Sequence, residues 1–87
     1  MAQHNLGAMY KAGCGVEKSD SEAVRWFRKA AEQGLAMSQR NLGVMCEFGR
    51  GVEKSDIEAV RWFRKAAEQD DVMARRNLAA MHVNVPG

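Results

Sequence analysis

Eighty-seven residues, 46% of them hydrophobic and 28% charged, suffice for one small core and are too apolar for a disordered chain. Thirteen basic against eleven acidic side chains leave a net charge of +2 with the signs interspersed, which excludes the concentrated basic footprint of a nucleic-acid or acidic-membrane binder. No apolar run reaches the roughly 18 residues a membrane helix needs, and no basic region followed by an apolar stretch opens the chain, so neither a transmembrane segment nor a signal peptide is predicted.

The first predicted element is a helix over 2–12, burying Ala2, Leu6, Met9 and Tyr10. Gly7 lies inside it at a cost of about 1 kcal/mol relative to alanine, which implies a close helix contact at that point. Gly13 ends this helix and Gly15 lets the chain reverse. The second helix is expected over 20–33. Its start carries Ser19-x-x-Glu22, a capping box that satisfies backbone N–H groups otherwise left without partners, with Asp20 as a competing N-cap. Ala23, Val24, Trp26, Phe27, Ala30 and Ala31 form an apolar stripe at helical spacing, and Arg25, Arg28, Lys29 and Glu32 take the other side. Trp26 reads as core rather than as a platform for ligand stacking, because it belongs to that stripe. Gly34 is placed to close the helix in the left-handed conformation.

From residue 37 the pattern returns. Residues 1–36 match 37–72 at 25 of 36 positions, so helices over 38–48 and 56–69 are predicted, with Gly43, Ser55, Trp62 and Phe63 repeating Gly7, Ser19, Trp26 and Phe27. A third copy starts with Met73, Asn77, Leu78 and Met81, giving a fifth helix over 72–82, and departs from the pattern at Val83. A helix pair this short cannot cover its own apolar face, whereas stacked copies share a continuous core. The expectation is an all-α fold, an αα superhelix or solenoid, in one domain over 1–87 composed of copies 1–36, 37–72 and a partial copy 73–87. Asn5, Asn41 and Asn77 are expected to satisfy backbone groups between helices.

These residues resemble the Sel1-like repeats, relatives of the tetratricopeptide repeats. The resemblance rests on Ala2 to Tyr10, then Gly13-Cys14-Gly15-Val16-Glu17-Lys18, then Glu22 to Gly34, and it covers essentially the whole chain. It implies an αα solenoid of about two and a half repeats whose first helices line a concave side, with a usual role as an adaptor or scaffold in protein complexes. Three departures stand out: the aromatic at Tyr10 becomes Cys46 and then His82, Gly34 becomes Asp70, and the third copy lacks its second helix. The Asp70 substitution implies that the turn into the last helix closes differently, with Asp71 as its cap.

Variation between the copies is uneven. Positions 15–33 differ from 51–69 once, whereas positions 2–14 differ from 38–50 at seven of thirteen. Positions 4, 8 and 11 have i, i+4, i+7 spacing and lie away from Leu6 and Met9, so they share a helix face. That face carries His4, Ala8 and Lys11, then Arg40, Val44 and Glu47, then Arg76, Ala80 and Val83. These nine are the candidate protein-binding residues of a mixed, mainly basic groove, and solvated drift is the competing account. Tyr10, Cys46 and His82 should stack in register, but Cys46 and His82 offer only two ligands where a structural zinc site takes four, and a Cys/His nucleophile lacks an orienting third residue; no metal, cofactor or catalytic residue is assigned. Cys14 and Cys46 fall at non-equivalent positions and are expected to be free thiols.

The expected function is a protein-interaction scaffold holding a protein or peptide partner, with no nucleic-acid or membrane partner and with weak self-association through uncapped repeat ends. The resemblance also brings in a rival, since a cysteine-rich branch of Sel1-like proteins is associated with β-lactam binding or hydrolysis. That branch pairs two cysteines within each repeat, and each copy here has one. A structural fragment or idealised repeat array without a ligand of its own is the remaining alternative.

Overall fold

The structure is a computed structural model that describes residues 2–84, with side chains described through Met81. Among these residues the chain forms five helices: α1 (Ala2–Ala12), α2 (Asp20–Glu32), α3 (Ala36–Phe48), α4 (Asp56–Glu68) and α5 (Val72–Asn84). Each helix packs on the one before it, in an array 43 × 24 × 17 Å across. The sequence places all five. α3 begins two residues earlier than expected because the Leu35 carbonyl already accepts from the N–H groups of Ser38 and Gln39.

Ser19 and Ser55 are the N-caps of α2 and α4; their hydroxyls accept from the N–H groups of Glu22 and Glu58 at 3.2 Å. Asp20 and Asp56 are the first helical residues instead. The capping box is only half made. The Ser19 N–H donates to the carbonyl of Tyr10, and that of Ser55 to the carbonyl of Cys46, both at 2.9 Å, so each cap ties the second helix back to the end of the first.

The turn into α5 corrects an expectation. Asp70 adopts the left-handed conformation at φ 66°, as Gly34 does at φ 95°, and the N–H of Asp71 reaches the Ala66 carbonyl as that of Leu35 reaches Ala30, at 3.2 Å in both. The turn therefore closes along the same path. Aspartate tolerates this conformation better than most residues, and the Asp70 carboxylate holds the Arg75 guanidinium at 2.6 Å. Asp71 does cap α5, with Oδ1 accepting from the Ala74 N–H at 2.9 Å.

The core runs between the two helix layers, with Phe27, Leu42, Met45 and Phe63 fully buried. Gly7 and Gly43 are explained by it: a Cβ on Gly43 would stand 2.8 Å from the Phe63 ring, and one on Gly7 would meet the Phe27 ring at 2.7 Å. Trp26 and Trp62, expected as core, are only half-buried. One residue is about a hundred degrees of helical turn, so phenylalanine takes the centre of the stripe and tryptophan its rim. There the Lys29 Nζ lies 4.8 Å from the Trp26 ring centroid and the Lys65 Nζ lies 5.9 Å from that of Trp62, each ammonium over the face of an indole.

Successive copies are also joined through the main chain. Gly51, in the turn before α4, lies so close to the Asp20 carbonyl and the Ser21 N–H that no Cβ could be placed there, and Arg50 reaches Asp20 at 3.8 Å. The interhelical hydrogen bonds expected of Asn5, Asn41 and Asn77 are not formed among the described residues. Glutamines make them: Gln39 donates to the Ala31 carbonyl at 3.1 Å, and Gln69 donates to the Gly34 carbonyl at 2.8 Å and to Gln39 Oε1 at 3.0 Å.

Candidate protein-interaction face

The nine residues singled out on the first helices α1, α3 and α5 separate into three columns. Position 4 is a joint between copies. His4 is 7% exposed; its Nδ1 lies 2.7 Å from the Ser38 hydroxyl on α3, and its ring sits 5.3 Å from that of Phe27. Burial, and then the nearby Arg40 charge, hold the imidazole below its ordinary pKa, so it is neutral at pH 7. Arg40 is half-buried, and its Nε donates to both oxygens of Asp71 at 3.1 Å. Arg76, with no helix of a following copy beside it among the described residues, is exposed. One sequence position thus serves twice as internal contact and once as surface.

Position 8 gives exposed Ala8, half-buried Val44 and exposed Ala80. Position 11 gives half-buried Lys11 and Glu47; the Val83 side chain lies outside the described residues. Burial raises the pKa of the Glu47 carboxyl, and the like charge of Asp56 adds to the effect. A ligand approaching this face would therefore meet Ala8, Lys11, Val44, Glu47, Arg76 and Ala80, while His4 and Arg40 are already engaged.

Other candidate chemistry is answered by burial. His4 and Ser38 are close enough for a nucleophile and its base, yet Ser38 is fully buried, so no substrate carbonyl can reach it. Cys46 is buried, and burial raises the pKa of its thiol. Tyr10 packs against the core, and the side chain of His82 lies outside the described residues. Cys14 is exposed, and both cysteines are free thiols. Among the described residues no group of three or more metal-ligating side chains comes together, and no helix is long and apolar enough to cross a membrane.

The contacts that sequence reasoning missed are those of Gln39 and Gln69 and the pairing of Asp71 with Arg40. The two glutamines recur as Gln3 and Gln33 in the first copy, which is the signal that could have drawn attention to them.

Comparison with known proteins agrees with this architecture. The family model described as "Sel1 repeat" matches residues 1–35 and 36–71. No curated protein sequence matches the chain. A Sel1 repeat protein from Oxalobacter formigenes superposes with a TM-score of 0.92 at 46% identity, over 95% of this chain and 34% of that one. A protective antigen present in uropathogenic Escherichia coli strains, displaying an SLR fold, gives 0.77 at 48% identity over 78% of this chain and 15% of that one. The Helicobacter pylori cysteine rich protein B gives 0.83 at 29% identity over 87% and 57%. The chain thus spans about a third of the first of these structures. Two successive family matches, each spanning one helix pair with its buried phenylalanine and facing glycine, place the chain in the Sel1 repeat family.

Proposed function

We propose that this chain is a protein-interaction scaffold or adaptor module without catalysis of its own, holding an extended polypeptide or a helix along the face formed by α1, α3 and α5. Sel1 repeats are in general protein-interaction modules. The observation that carries the finer reading is the contrast between a nearly invariant framework and the six accessible side chains Ala8, Lys11, Val44, Glu47, Arg76 and Ala80 on one varied face. His4 and Arg40 belong to the same face and support it from beneath, and Val83 would continue it. Lys11 and Arg76 flank Glu47, so the ligand is expected to be mainly acidic with a basic residue near its middle. A preorganised face of this kind gains affinity because little of it has to be ordered on binding.

Weak self-association belongs to the same proposal. Ile57, Val72 and Met73 are exposed near the C-terminal end of the array. α5 already occupies the place that the first helix of a second copy would need in order to continue the stack, so the contact is expected to be symmetric.

Selection of peptides from a random display library on the intact chain, repeated on the double variant Lys11→Glu/Arg76→Glu, tests the face. Acidic peptides should be selected by the first and lost by the second, while Glu32→Lys, away from this face, should keep them. Equal capture by all three would sink the assignment.

A further inference from the structure

The middle helix α3 carries an apolar row on the side opposite Leu42 and Cys46. Met37 is 39% exposed and Phe48 is 63% exposed, with half-buried Asn41 and Val44 between them. These residues stand four, three and four apart, so they form one narrow stripe along about 16 Å of helix. The stripe is particular to α3. Val44 and Phe48 stand where α1 has Ala8 and Ala12, and where α5 has Ala80 and Asn84. Ala8, Ala12 and Ala80 are exposed, so the helices on either side stay low where α3 is large and apolar.

Continuation of the repeat does not cover this row. α3 is flanked on both sides within the chain, by α1 through His4 and Ser38 and by α5 through Arg40 and Asp71. Further copies at either end would stack beyond α1 or beyond α5, and α3 would stay open in an array of any length.

Alternate spacings of four and three are those of a heptad seam, in which the side chains of one helix enter the spaces between those of another. Asn41 is the polar member of the row. Its expected bond to a neighbouring helix is not formed among the described residues, and one polar layer in such a seam fixes the register of the pair. Charge sets the flanks: Lys11 on α1 and Arg76 on α5 lie to either side of the row, and Glu47 lies on α3 beside it. A second copy applied through the same face would bring two Lys11 and two Arg76 against two Glu47, a poor match that an acidic helix avoids.

We infer that α3 is the seat of an amphipathic helix from a partner protein. That helix lays an apolar seam over Met37, Val44 and Phe48, places one polar residue opposite Asn41, and carries acidic residues along its flanks. Phe48 is its main anchor. The inference rests on the interaction face proposed above and names its occupant.

Two libraries of displayed peptides test it on the intact protein, one of three helical heptads randomised only at a, d, e and g, the other of equal length and made non-helical by regularly placed prolines. The helical library should be enriched in peptides with apolar a and d positions and acidic e and g positions. A synthetic peptide from that selection should gain helical circular dichroism on binding, and should bind Phe48→Ala about tenfold more weakly. Phe48→Ala puts at an exposed position the residue that position 12 already has, so the variant should keep the melting temperature of the parent. Enrichment from the proline library alone would make the occupant an extended chain and overturn the helix, leaving the face itself standing. Binding that is lost in Lys11→Glu/Arg76→Glu but indifferent to Phe48→Ala would overturn the seam and again spare the face. Enrichment from neither library would overturn both. Self-association of the parent abolished by Phe48→Ala in sedimentation would make a second copy the occupant and refute a partner helix.

Discussion

Gly43→Ala adds one methyl group at the tightest point of the fold. Its Cβ would stand 2.8 Å from both Cδ1 and Cε1 of Phe63, closer than carbon atoms pack, and Phe63 is fully buried with no solvent side to retreat to. Forcing an extra carbon into a filled core costs about 1–3 kcal/mol. Against this, alanine within a helix is favoured over glycine by about 1 kcal/mol. The net effect is a loss of about 0–2 kcal/mol, which for a domain of this size lowers the melting temperature by up to about 16 °C. Thermal and urea unfolding followed by circular dichroism would measure it. Gly7→Ala, whose Cβ would meet Phe27 at 2.7 Å, should behave alike. Ala79→Gly tests the other half of the ledger: at this exposed position it should lose about 1 kcal/mol through helix propensity alone. A Gly43→Ala protein more stable than the parent would show that the ring can move, and the explanation of these glycines by close packing would fail.

Phe63→Ala should cost about 3–5 kcal/mol and Trp62→Ala distinctly less, because the phenylalanine is fully enclosed and the tryptophan sits at the rim; equal losses would refute that ranking. His4 is held below its ordinary pKa of 6.5, so the unfolded chain takes up its proton first as the solution is acidified: the contribution of His4 is intact above pH 6.5 and is lost as pH falls from there through the lower folded-state pKa. Urea midpoints at pH 7.5 and pH 5 should therefore differ more for the parent than for His4→Gln, and parallel behaviour would contradict a buried neutral imidazole. Asp71→Ala removes both the cap of α5 and the partner of Arg40, and should cost about 1–3 kcal/mol with hydrogen exchange accelerated first in α5. In native protein a maleimide should label Cys14 rapidly and Cys46 only on unfolding; simultaneous labelling would be inconsistent with the position of Cys46 in α3.

The helices were legible because their signals are local. Ser19 and Ser55 mark where they start, the apolar stripe gives their period, and a 36-residue repeat confirms each reading with a second instance. The wall of the candidate face was harder. Helical periodicity assigns position 4 to the side away from the helix's own core, but it cannot see the neighbouring copy that encloses His4 and engages Arg40. A trace of that contact was present, since Ser38 stands where the other copies have Ala2 and Ala74, and it is Ser38 that pairs with His4. Trp26 and Trp62 were overrated as core for a related reason. Size suggested them, whereas the facing glycines Gly7 and Gly43 were the sign that the neighbouring phenylalanines go deepest. The turn at Asp70 shows the converse case, in which a changed residue leaves the backbone path intact.

The seating of Gly51 on the main chain of Asp20 bears on how such an array could change over time. Spacing between copies is set there by backbone against backbone, without a side chain whose replacement would lengthen or shorten the step. That contact involves neither position 8 nor position 11 of the first helices, where Lys11 has become Glu47 and Ala8 has become Val44 without displacing the helices that carry them. The turn acts as a gauge block, and the varied face can be rewritten against a fixed ruler.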